Sequence, residues 1–263
     1  DPTVLERFDR EANTLQRLDS PHVVKLYQRG LLGTDMPFIV MELLHGETLV
    51  ARLERTGEMP FEQLAFIVSQ LGTALAHIHT NRIIHRDLKA ENIFLLGDEA
   101  RPLVKLLDFG LAKPPGAPGE KKLTAAGTMV GTAEYMSPEQ IIISADVDHR
   151  ADLWAMAVLA YAMLVAELPF KGEKLGELLM AIRMTQYTTP SVLRDGIPPS
   201  IDAWFAKAFH LDYNQRFRAA AEMNEAWQRA WTLAAPTTPA LQKKQTALLI
   251  AIVGGAALLI LIL

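Results

Sequence analysis

Three side chains crowd one short segment, "IHRDLKAEN": Asp87, Lys89 two residues on, and Asn92 three beyond that. A fourth candidate, Asp108, follows in "LLDFG". Phosphoryl transfer needs polyphosphate charge neutralised and a hydroxyl oriented for in-line attack. Asp87 could accept the hydroxyl proton, and Lys89 could sit beside the transferring group. Asn92 and Asp108 offer oxygen ligands of the kind Mg²⁺ prefers. Gly110 would let the backbone turn tightly after Asp108.

These residues need elements to hold them. Strand-like runs surround Asn92 ("NIFLL") and precede Asp108 ("LVKLLDFG"). Residues 61–80 read as a long apolar helix, and residues 113–122, "KPPGAPGEKK", as a loop. Residues 3–18 place Val4, Leu5, Phe8, Ala12, Leu15 and Leu18 at helical spacing, with Pro21 as a stop. "HVVKLYQRG" and "MPFIVMELL" flank a Gly/Thr/Asp turn and predict an antiparallel pair. From 150 to 231 the pattern is helical, broken by Pro169, Pro190 and Pro198–Pro199. Strands first and helices later indicate an α+β architecture.

Composition narrows the classes. The chain has 263 residues, half of them apolar, so a sizeable core is within reach. A net charge of −4 is not that of a basic nucleic-acid binder, and no nucleic-acid partner is expected. With no cysteine, disulfides, thiolate catalysis and Cys-based zinc sites are excluded. Ala247 to Leu263, "ALLIAIVGGAALLILIL", carries no charge. As a helix it would span about 25 Å, near the roughly 30 Å of a hydrocarbon core. It is expected to be a membrane helix. Lys243 and Lys244 just before it would put the preceding domain in the cytoplasm.

"HRDLKAEN", then "DFG", then "GTAEYMSPEQ", in that order, resembles the protein kinase fold, over about residues 3 to 231. The likeness is to bacterial membrane-anchored serine/threonine kinases. It implies a kinase-like fold with an incomplete small lobe, a complete and mainly helical large lobe, and one transmembrane helix. The boundaries expected are 1–44 for the partial small lobe, 45–232 for the large lobe, 233–246 for a juxtamembrane linker and 247–263 for the span.

The resemblance implies roles, residue by residue. Asp87 would be the catalytic base and Lys89 the phosphate-neutralising lysine. Asn92 and Asp108 would bind Mg²⁺, and ATP would be the phosphoryl donor. Glu11 would be the helix-C glutamate. Met41 would be the gatekeeper, Glu42 to Leu44 the adenine-binding hinge, and Phe94 the floor under adenine. Thr132 would contact the catalytic loop, Glu139 would pair with Arg216, and Asp152 would brace the loop. Arg86 would pair with a phosphothreonine of the activation loop, with Thr124 and Thr128 as candidate phosphosites. Partners would be protein substrates and the membrane. Autophosphorylation would use a homodimer, through helix pairing or back-to-back lobes.

Other residues read as bland. Lys25 mimics an ATP-binding lysine but follows Glu11, against the family's order, and is expected to be an exposed strand residue. His149 to Asp152 mimic the catalytic triplet without its Lys and Asn. His77 and His79, at i and i+2, point to different helix faces and are expected to pack or meet solvent. The family's glycine-rich loop and ATP lysine should precede Glu11, and residues 1–10 contain neither. The expectation is a kinase fragment that binds ATP weakly and turns over little. The alternative is a membrane-anchored pseudokinase scaffold that binds partners without catalysis.

Overall fold

The structure is a computed structural model that describes residues 16, 18–33, 36–108, 133–142 and 147–234. Glu11, Phe109, Gly110, Thr124, Thr128, Thr132 and the apolar run 247–263 lie outside the described residues.

A two-stranded antiparallel sheet comes first, β1 (Leu26–Leu32) against β2 (Met36–Met41). It is the pair expected from two extended runs flanking a turn. A second sheet has the order β3–β4–β5, with β3 (Gly46–Thr48), β4 (Ile93–Leu96) and β5 (Leu103–Leu106) all antiparallel. Main-chain bonds tie β5 to the segment before β1: Val24 N–H donates to Leu106 O at 3.0 Å, and Leu106 N–H to His22 O at 2.9 Å.

The helices are α1 (Leu49–Thr56), α2 (Phe61–Thr80), α3 (Pro138–Ile141), α4 (Arg150–Val165), α5 (Leu175–Arg183), α6 (Pro190–Leu193), α7 (Pro199–Ala208) and α8 (Ala220–Ala234). α2 spans the residues expected of it. Its Leu64, Ile67, Val68, Leu71, Leu75 and Ile78 recur at three and four residues and are all fully buried. Pro190 and Pro199 open α6 and α7 at the first helical position, where a missing N–H costs nothing. They start helices rather than merely interrupting one. α8 runs to Ala234, two residues into the stretch expected to be a linker.

α4 is buried all round, from Ala151 to Val165. Five alanines keep it thin enough for neighbours to close on every side. Trp154 stacks on Phe170 with centroids 5.2 Å apart, and Phe205, Phe209, Trp204 and Trp227 continue the aromatic core. Arg194 closes the far end of α4, donating to Leu164 O at 2.6 Å and Met59 O at 2.8 Å. α8 folds back on α2: Trp227 Nε1 donates to Ala65 O at 3.3 Å and Asn224 Nδ2 to Ser69 O at 3.1 Å. Among the described residues, no helix is long and apolar enough to cross a membrane.

Candidate active site

The loop from His85 to Asn92 lies between the end of α2 and the start of β4, and its shape is imposed from beneath. Asp152, in the first turn of α4 and 1 % exposed, accepts three hydrogen bonds. His85 N–H reaches Oδ2 at 2.8 Å and Arg86 N–H reaches Oδ1 at 2.9 Å. His79 Nε2 reaches Oδ2 at 2.8 Å. The positive end of the helix favours a carboxylate here. Arg86 sits at φ +65°, a left-handed conformation that costs a non-glycine residue about 1–2 kcal/mol. Two main-chain bonds into one buried carboxylate hold it there.

His85 is fully buried, and burial holds its imidazole below the usual histidine range, against the pull of the Asp152 charge. It is therefore neutral, and Nε2–H donates to Leu107 O at 2.8 Å. That bond ties the loop to the residue before Asp108. Asn92 O accepts from Leu107 N–H at 2.8 Å and doubles the tie. Asp108 follows at φ +42°, exposed, with its backbone turned out of the strand. Strain of this kind persists only where surroundings over-determine it.

Asp87, Lys89 and Asn92 converge. Asn92 Nδ2 donates to Asp87 O at 2.8 Å and to Asp87 Oδ2 at 3.3 Å. Lys89 Nζ lies 3.3 Å from the same Oδ2. Asn92 is 5 % exposed, and its amide protons are committed to Asp87, so its Oδ1 is the atom left to serve a ligand. Asn92 Oδ1 and the Asp108 carboxylate both offer oxygen donors, and the Leu107–Asn92 bond ties together the segments that carry them. That donor chemistry fits Mg²⁺.

The segment expected to be the hinge, Glu42 to Leu44, follows β2. Met41 is 44 % exposed at the strand end, and Leu44 is half-buried. Glu42 N–H donates to Lys25 O at 2.9 Å, while its carboxylate accepts from Lys25 N–H at 2.7 Å and pairs with Lys105 of β5. Burial raises the Glu42 carboxyl, but the Lys105 and Lys25 bonds outweigh it and hold it below its usual range. The Lys25 side chain is exposed, as expected, but the residue lies just before β1 rather than within a strand, and its main chain anchors Glu42. Phe94, half-buried on β4, stands opposite Thr48 and Lys105 in the two adjoining strands.

Glu139 and Arg216 meet: Arg216 Nη1 donates to both carboxylate oxygens at 3.1 Å. Arg216 is 4 % exposed, lies over the Trp154 ring at 4.6 Å and donates to His210 O at 2.7 Å. The structure thus brings Asp87, Lys89 and Asn92 together, sets Asp152 beneath them, and pairs Glu139 with Arg216.

His79 departs from the bland packing expected of it, because it completes the Asp152 cluster. Helical spacing separates it from His77 but cannot say what arrives opposite either one. Lys105 and Arg52 also went unremarked. The sequence offers the first only as a lysine inside an apolar strand, "LVKLL", where a paired cation must follow if the strand is buried.

The family model described as "Protein kinase domain" matches residues 2–228. The chain is 34 % identical over 223 residues to serine/threonine-protein kinase PknH of Mycobacterium bovis, covering 85 % of this chain and 36 % of that protein. It is 34 % identical over 227 residues to PknD of Mycobacterium tuberculosis, covering 86 % and 33 %. It therefore spans about a third of the length of these curated relatives. A crystal structure of Rad53 residues 1–466 with AMP-PNP aligns at a TM-score of 0.69 and 28 % identity, over 84 % of this chain and 54 % of that one.

Proposed function

This chain belongs to the protein kinase domain family, and on that premise we propose that it is the catalytic part of a serine/threonine protein kinase, transferring the γ-phosphoryl group of ATP to protein hydroxyls. The convergence of Asp87, Lys89 and Asn92 above the Asp152 brace carries the assignment. A Ser or Thr hydroxyl of the substrate attacks the γ-phosphorus. Its new O–P bond forms as the bond to the β-phosphate oxygen breaks, and ADP leaves. Asp87 takes the hydroxyl proton. Lys89, already beside Asp87, meets the charge on the transferring group. Asn92 Oδ1 and Asp108 would hold Mg²⁺, which supplies neutralisation of the phosphate charge. The backbone of Glu42 to Leu44 would bond adenine, with Phe94 beneath it and Met41 as gatekeeper.

Glu11, Thr132, Thr124 and Thr128 keep the roles their motifs give them within this proposal, as do membrane attachment through 247–263 and a cytoplasmic kinase domain. The PknH and PknD names favour protein Ser/Thr acceptors, and the AMP-PNP in the Rad53 structure favours an adenine nucleotide.

The test is phosphoryl transfer from labelled ATP to a protein acceptor, with ADP binding measured in parallel. Asp87→Asn should lower transfer by about 10²- to 10⁴-fold and leave ADP binding intact. Equal transfer by the variant overturns the assignment of Asp87. A native protein with no glycine-rich loop and lysine ahead of Glu11 supports the scaffold alternative.

A further inference from the structure

Four charged side chains form a closed cluster away from the reacting groups. Arg52, on α1, is only 5 % exposed. Its Nε donates to Glu47 of β3, and its Nη1 donates at 3.1 Å to the carbonyl oxygen of Glu99, in the β4–β5 turn. Arg55 Nη2 reaches Glu47 Oε1 at 2.8 Å and Glu99 Oε1 at 2.9 Å from the solvent side. Gln63 of α2 donates to the same Glu99 carbonyl. Two cations face two carboxylates, so the cluster is neutral within itself. α1 is eight residues long, and a helix that short holds little structure alone. Its position depends on the Thr48 cap, the buried Leu49 and these arginines.

What the cluster grips matters more than its own energy. Glu47 adjoins Gly46, where a β-carbon would lie 2.0 Å from Leu95 O and 3.1 Å from Phe94 Cε1. The β3 backbone therefore rests directly on β4 and on the Phe94 ring. At its other end the cluster holds the turn between β4 and β5, the strands that carry Phe94 and lead to Asp108.

We propose that Arg52 is a positioning residue for the adenine site, acting through Glu47 and the Glu99 carbonyl to set β3 against Phe94. This rests on the nucleotide-binding role proposed above. Arg52 touches no reacting atom, so losing it should weaken the hold on the base and leave the phosphoryl-transfer groups in place. Lysine cannot replace it, because a single ammonium does not present the planar fork that spans Glu47 and Glu99.

The experiment is ligand-observed NMR with ADP and Mg²⁺ on the 263-residue chain, reading saturation transfer to adenine H2 and H8 against ribose H1′. Arg52→Met and Arg52→Lys should raise the ADP Kd at least fivefold and lower the adenine share of the transfer. Arg55→Met, on the exposed layer, should stay within twofold of wild type. Trp204→Phe removes a bond to Met223 O far from this site, and should lower the melting temperature without changing the adenine signal. If Arg52→Met is recovered unfolded, Glu47→Gln makes the same test. An unchanged Kd and adenine signal in the Arg52 variants overturns the proposal. Wild type that binds no ADP overturns the nucleotide-binding role itself, and the proposal falls with it.

Discussion

Replacing Asp152 by alanine should uncouple the His85–Asn92 loop from the helix beneath it. The carboxylate accepts from His85 N–H, Arg86 N–H and His79 at 2.8, 2.9 and 2.8 Å, at a site 1 % exposed. A hydrogen bond to a charged group contributes about 1.5–3 kcal/mol, and a buried donor left unpaired costs about 1–3 kcal/mol. The two main-chain bonds together make a loss of roughly 3–6 kcal/mol. Release of Arg86 from its left-handed conformation returns about 1–2 kcal/mol of that. The net expectation is about 3 kcal/mol in urea denaturation, a large share of the roughly 5–15 kcal/mol typical of a domain. Asp152→Asn keeps one oxygen acceptor and should cost about half as much. Phosphoryl transfer should fall about 10²-fold or more in the folded fraction of Asp152→Ala, because Asp87 moves with the loop. ADP binding should change little. An Asp152→Ala protein within 1 kcal/mol of wild type, with transfer intact, would refute the brace.

Four further outcomes follow from the geometry. Glu139→Ala leaves the Arg216 cation buried without its carboxylate, and should cost about 3 kcal/mol or more in denaturant; Arg216→Met together with Glu139→Ala should cost less than the two losses added. Gly46→Ala drives a β-carbon into the Leu95 carbonyl and should destabilise by about 3 kcal/mol, with β3 parting from β4 in amide exchange. The Glu42 carboxyl is held low in the folded chain, so its contribution is fully present above its ordinary value near 4.5 and is lost as pH falls below it. The stability gap between wild type and Glu42→Gln should thus be constant from pH 7 to pH 5 and shrink below pH 4.5 in urea titrations. His85 stays neutral when folded and protonates when unfolded, so stability should also decline as pH drops through about 6.5, and His85→Gln should flatten that slope.

Some of this was legible from residue order and some was not. α2 was readable because twenty residues keep one apolar stripe, and β1–β2 because two extended runs flank a turn. The loop residues Asp87, Lys89 and Asn92 sit within six positions, so any backbone that serves one holds the others nearby. Asp152 and Arg216 lie 65 and more residues from their partners, and only the family resemblance could match them. His79 and Arg52 were missed for a common reason. A polar side chain on a helix reads as solvated until something arrives opposite, and their partners come from α4 and from the β4–β5 turn. Helix spacing carries no trace of either. Glu11, Thr124, Thr128, Thr132 and the 247–263 span were read from motif and hydropathy, and lie outside the described residues.

The seating of α8 on α2 sets a schedule for synthesis. α2 is complete at Thr80, yet the side chains that cover its Ala65–Ser69 face, Asn224 and Trp227, are translated about 150 residues later. At roughly 5–20 residues per second, that face waits on the order of ten seconds as the ribosome works. α4 emerges in the interval with no polar side to show to water. The nascent chain thus presents two adhesive helices before either has its cover, and a holding chaperone acting between the translation of Thr80 and Ala234 is the help this fold calls for.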